Sequence, residues 1–188
     1  MPSSQLRQGA LALAVALSTI ASASVVMHET LDEMARRVPL IVRGRVVRTV
    51  PAWDEQKHTI WTWTELSVTD PIKGRPGALV LVKQPGGELD GIGQAVGGAA
   101  TFREGDDCVL FLERAPHETD AYMVTGMAAG KILMTQVKGL PTAVRNTDGL
   151  AFARPAGGKI AEQVRSPEFL GSPDDFVKRI RAAAGGAR

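Results

Sequence analysis

The chain is 188 residues long, with 22 basic and 20 acidic side chains, a formal charge of +2 and one cysteine. So even a balance excludes the concentrated basic face of a nucleic-acid binder, and a single cysteine excludes an internal disulfide framework. The length fits one domain with a real core and is too short for two comfortable ones.

Residues 1–23 read as a secretory signal. Arg7 supplies a positive n-region, Ala10 to Ala16 with Leu17 and Ile20 form a short apolar stretch, and Ala21-Ser22-Ala23 is a small-x-small cleavage site before Ser24. That stretch falls short of the about 20 apolar residues a membrane span needs. The expected mature protein, Ser24 to Arg188, is exported to the periplasm or the medium and keeps no membrane span. It loses Arg7 and so carries 21 basic against 20 acidic residues.

A short helix comes next. Thr30 is the N-cap, Glu33 completes a capping box, and Leu31, Met34, Ala35 and Val38 form one apolar stripe that Pro39 ends. The period then changes from 3.6 to 2. Residues 40–50 form a first strand rich in β-branched side chains, and 51–56 turn the chain. In the second strand, 58–69, Ile60, Thr62, Thr64, Leu66 and Val68 share one side; Pro71 and the 73–77 turn close it. The third, 78–84, is almost continuously apolar, which predicts burial on both faces.

Residues 85–105 predict a long irregular stretch. Its many glycines follow no phosphate-cradling pattern that leads into a helix, which rejects a nucleotide loop. Strands four, five and six fall at 107–113, 122–127 and 131–137. A hairpin of 142–145 with 150–153 is predicted across Asn146-Thr147-Asp148-Gly149. The last element is a helix capped by Ser172, with Pro173 at N1, Asp174 and Asp175 against the dipole, and Phe176, Val177 and Ile180 as its packing face. Short strands between two helices predict a mainly β protein, a small barrel or sandwich. The expected division is a signal at 1–23, a barrel domain at 24–145 and an extension at 146–188 that ends in the helix.

Several segments, in this order, resemble a group of uncharacterised bacterial exported proteins. They are Leu40-Ile41-Val42-Arg43-Gly44-Arg45-Val46-Val47, Leu66-Ser67-Val68-Thr69-Asp70-Pro71-Ile72-Lys73-Gly74, Gln84-Pro85-Gly86-Gly87 and Gly105-Asp106-Asp107-Cys108-Val109-Leu110-Phe111-Leu112. Residues 122–131 close the match. More distantly, the order resembles the N-terminal domain of the tissue inhibitors of metalloproteinases and the netrin-like modules. The resemblance covers 31–137 and implies a five- to six-stranded OB-like barrel with a short N-terminal helix and a C-terminal helix. Those inhibitors chelate the protease zinc through an N-terminal cysteine braced by disulfides. Here the predicted mature terminus is Ser24, so no inhibitory residue is carried over.

The chemistry-bearing residues are few. His28, His58 and His117 are too scattered for a metal site, no nucleophile elbow occurs, and the adjacent carboxylates read as turn and capping groups. Cys108 lies in an apolar strand with no base in its local sequence and reads as a small hydrophobe. Arg36, Arg37, Arg43, Arg45 and Arg48 read mainly as a solvated strand face. Trp61 and Trp63 fall on the strand side opposite Ile60, Thr62 and Leu66. They form either an outward two-ring platform, extended by Trp53, or a pair covered by the terminal helix or the long loop. Gln84, Glu88, Asp90 and Gln94 are the polar side chains of the glycine-rich segment. It either lets a partner approach its backbone or folds over a barrel mouth. The expectation is a non-catalytic binding module with no cofactor and a secreted or envelope protein as partner, a protease foremost. A glycan-binding protein that uses the tryptophans is the alternative, and a hydrolase with a dispersed site is the third reading.

Overall fold

The computed structural model describes residues 24–153, 160–161 and 166–185; the expected signal segment lies outside them. Strand β1 (Ser24–Met27) leads into α1 (Leu31–Arg37), whose start is the capping box read from the sequence. The Thr30 hydroxyl accepts from Glu33 N at 3.2 Å, and the Glu33 carboxylate accepts from Thr30 N at 2.8 Å. Leu31, Met34, Ala35 and Val38 are all buried.

The long antiparallel pair β2 (Leu40–Trp53) and β3 (Ile60–Lys73) is followed by β4 (Leu79–Pro85) and two short strands, β5 (Gly87–Leu89) and β6 (Ile92–Gln94). Then come β7 (Asp107–Arg114), β8 (Ala121–Val124), a 3₁₀ turn at Met127–Gly130, β9 (Lys131–Val137) and β10 (Leu140–Arg145). The chain continues through β11 (Leu150–Ala153), β12 (Ile160–Ala161) and β13 (Glu168–Phe169) to α2 (Pro173–Gly185).

Eight strands form one sheet in the order β13-β10-β9-β7-β2-β3-β4-β8, and β8 also pairs with β7. The start of β7 pairs with β9, Cys108 opposite Leu133, while its end pairs with β8, Leu112 opposite Val124. The sheet therefore curls into a partial ring of β7, β2, β3, β4 and β8, in which β4–β8 is the parallel contact. One core cluster draws on all five ring strands, including Val42, Leu66, Val82, Leu110 and Val124. A second lies between the sheet and both helices: Ile41, Val109, Phe111 and Ile132 meet Met34 of α1 and Phe176, Val177 and Ile180 of α2. Alternation in β7 sends Cys108, Leu110 and Leu112 to the first core and Val109 and Phe111 to the second. β7 and its neighbour β2, with Ile41 on one side and Val42 on the other, form the shared wall.

Gly44 lets β2 bend there. The register against β3 shifts between Arg43 and Gly44, and a Cβ at Gly44 would lie 2.4 Å from the Ser67 carbonyl oxygen and 2.8 Å from the Leu66 side chain.

Six expectations are corrected. Residues 51–53 extend β2 instead of turning, and β3 runs through Pro71, which sits beside a register shift where a missing N–H is tolerated. β4 is not buried on both faces: Val80, Val82 and Gln84 point in, while Leu79 is 60% exposed. The segment 85–105 is not structureless, because Asp90 and Gly91, both at positive φ, turn β5 back onto β6. Strand five is shorter than expected and ends at Val124, ahead of the 3₁₀ turn. The predicted 142–145/150–153 hairpin does not form. β10 pairs with β9 and β13, whereas β11 pairs in parallel with β1 and antiparallel with β12. Turn chemistry at Asp148-Gly149 is real, but the strands it joins belong to different sheets.

Candidate binding face

The outer side of β2, β3 and β4 carries the tryptophans. Burial of Ile60, Thr64 and Leu66 fixes the inner side of β3, so Trp61 and Trp63 stand on the other, each half-buried. Register places Val50 and Lys83 on either side of Trp63, and Ala52 and Pro85 on either side of Trp61. The Lys83 ammonium lies over both rings, 4.7 Å from the Trp61 centroid and 4.8 Å from that of Trp63. It also donates to the Glu118 carboxylate. A cation over an indole face is favourable by about 0.5–2 kcal/mol, so two rings and a carboxylate together hold one ammonium in place. Cover thus comes from the neighbouring strand, through the Lys83 side chain. Beside it, Val50 is 41% exposed and Arg48 pairs with Glu65.

Trp53 does not extend the platform. It belongs to β2 rather than to a turn, and the period of two puts it on the side opposite Ala52 and Val50. There its indole N–H donates to Asp90 at 3.2 Å, across to the β5–β6 turn.

The four polar side chains of the glycine-rich segment separate. Gln94 accepts from Ile60 N at 2.6 Å, Gly86 N donates to Ile60 O at 2.8 Å, and the Thr62 hydroxyl donates to Gly86 O at 2.7 Å. These bonds seat the β5–β6 hairpin on the start of β3. Gly87 needs its missing side chain, since a Cβ there would lie 2.7 Å from the Thr62 hydroxyl. Glu88 is exposed, while Gln84 is 3% exposed and lines a cleft of about 650 Å³ beneath the hairpin.

The remaining ionic groups are mostly structural. Arg43 forms a two-bond pair with Asp107, Arg37 bonds Glu29, Arg45 donates to Gly105 O, and Lys131 bonds Asp106. Among the described residues, no cluster of His, Cys, Asp and Glu has the size a metal site needs. None of their helices is long and apolar enough to cross a membrane.

Cys108 is wholly buried, and burial pushes its thiol up to about 12. Its thiolate fraction at neutral pH is negligible, so N-ethylmaleimide is expected to leave the folded protein unlabelled by mass spectrometry and to label it fully in denaturant. Rapid labelling of the folded protein would contradict this placement.

Sequence reasoning missed Lys83 and Glu118. The lysine was legible: its alternation with Val82 and Gln84 places it outward, but the apolar run before it concealed the period. Glu118 was not, because it reaches Lys83 from a loop beyond β7. The fold is thus a mainly β one with an aromatic–cationic outer face. Compared with known proteins, the chain matches no family model and no curated protein.

Proposed function

We propose that the protein is an exported, non-catalytic binding module that engages another protein through the outer face of β2, β3 and β4. The observation that carries this reading is the Trp61–Lys83–Trp63 arrangement, half-buried and pre-ordered by Glu118. Tryptophan is enriched among the few residues that dominate protein interfaces, and a rigid ring has little conformational entropy left to lose. Lys83 already lies where a sugar would stack, which favours a protein over a glycan as the occupant. We read the ring as an OB-type barrel, supported by its five strands and the helices packed outside it. The partner class is a secreted or envelope protein. A protease leads on the strength of the inhibitor resemblance.

The test is affinity capture with residues 24–188 against envelope and secreted fractions, followed by calorimetric titration of the captured protein. The Trp61→Ala/Trp63→Ala double variant is expected to bind at least about thirtyfold more weakly, the weight of one interface hot spot. Unchanged affinity would remove the face from the reading. Quenching of tryptophan fluorescence by envelope glycans, with no protein captured, would replace a protein partner by a glycan.

A further inference from the structure

We propose that the cleft beneath the β5–β6 hairpin is a second binding site, for an uncharged small molecule with a largely apolar body and one carbonyl group. It lies on the opposite side of β3 from the tryptophan face and does not depend on it.

The volume, about 650 Å³, falls within the range of small-molecule pockets, roughly 300–1,000 Å³. Pro51, Pro85, Ala95, Val96, Ala99 and Phe102 provide an apolar lining. Among the described residues, the single ionised side chain on the wall is Glu88, and it is exposed. No described cation lines the wall, and Lys131, 4.6 Å from the Phe102 ring centroid, is already paired with Asp106, so the desolvation of an anionic ligand would go uncompensated. A neutral body is what the lining accepts.

The polar element is Gln84. It is 97% buried, and its side-chain Nε2 has no hydrogen-bond partner. The groups around it are engaged elsewhere: the Thr62 hydroxyl donates to Gly86 O, and the Gln94 carbonyl takes the N–H of Ile60. Buried polar groups are nearly always satisfied, so the unpartnered amide of Gln84, a residue of the cleft wall, marks a place where a partner is to be supplied. An amide N–H is a donor only, so its complement is an acceptor, and a carbonyl oxygen serves without bringing charge. Apolar walls with a few placed polar groups are the ordinary anatomy of a ligand site.

Prodan, a neutral naphthalene ketone with solvatochromic fluorescence, is a suitable probe. Titration into the full chain is expected to give a saturable blue shift. Gln84→Leu, close in size and free of the unpaired donor, is expected to weaken binding about tenfold while the melting temperature holds or rises. Ala99→Trp, which fills the cleft from its far wall, abolishes the shift. Trp61→Ala/Trp63→Ala leaves it intact, which separates this site from the outer face. The proposal is overturned if the full chain gives no saturable shift, or if Gln84→Leu binds prodan as tightly. It is also overturned if anilinonaphthalene sulfonate, an anion of similar size, displaces the probe.

Discussion

Gly44→Ala is expected to cost about 3 kcal/mol of folding stability, the upper range for forcing an extra methyl group into packed structure. The added Cβ meets the Ser67 carbonyl at 2.4 Å and the Leu66 side chain at 2.8 and 2.9 Å. Leu66 is fully buried in the ring core, and Ser67 belongs to the strand ladder. Gly44 also pairs with Cys108 across the other edge of β2, so shifting β2 away from β3 presses it against β7. Urea denaturation should show a lower midpoint at an unchanged slope, the mark of lost stability with the same surface exposed. A loss under about 1 kcal/mol would mean that the bend of β2 relaxes freely, and the account of the register shift would be wrong.

Phe111→Ala is expected to cost about 3–5 kcal/mol, the range for emptying an aromatic site in a closed core. Phe111 is fully buried among strand and helix residues. Its neighbour Leu110 faces the other core, where Leu110→Ala should cost about 2–5 kcal/mol. Because β7 walls both cores, each variant is expected to unfold in one transition, with tryptophan fluorescence and far-ultraviolet circular dichroism superimposing. Two separated transitions in either variant would show that the helix-side and ring-side cores melt independently.

Local chemistry was the legible part of this chain. Thr30 with Glu33, and Ser172 with Pro173, placed both helix starts, and the unbroken pattern around 131–137 placed β9 to the residue. Alternation of Ile60, Thr64 and Leu66 against Trp61 and Trp63 assigned the two sides of β3 correctly. What failed depended on pairing across distance. Nothing local says that β11 prefers β1, more than a hundred residues earlier, to the adjacent β10. In β4 the run Leu79-Val80-Leu81-Val82 has no polar contrast, so its outward leucines read as buried and hid Lys83. The Asp90-Gly91 turn carried a clear hairpin signal, but three-residue strands are too short to show a period. Of the candidate site, Trp61 and Trp63 were read, and their cation, legible by alternation with Val82 and Gln84, was overlooked. Of the cleft, Gln84 was named but its burial was not foreseen.

The packing of α2 against α1 has a consequence for synthesis. The two helices bracket the main sheet in sequence, yet they share one apolar cluster with β2, β7 and β9. A nascent chain that has emerged only as far as β10 carries Leu31, Met34 and Phe111 with no Phe176 or Ile180 to cover them. Contacts of such long sequence separation form late. The growing polypeptide therefore stays open on that side until α2 has left the ribosome.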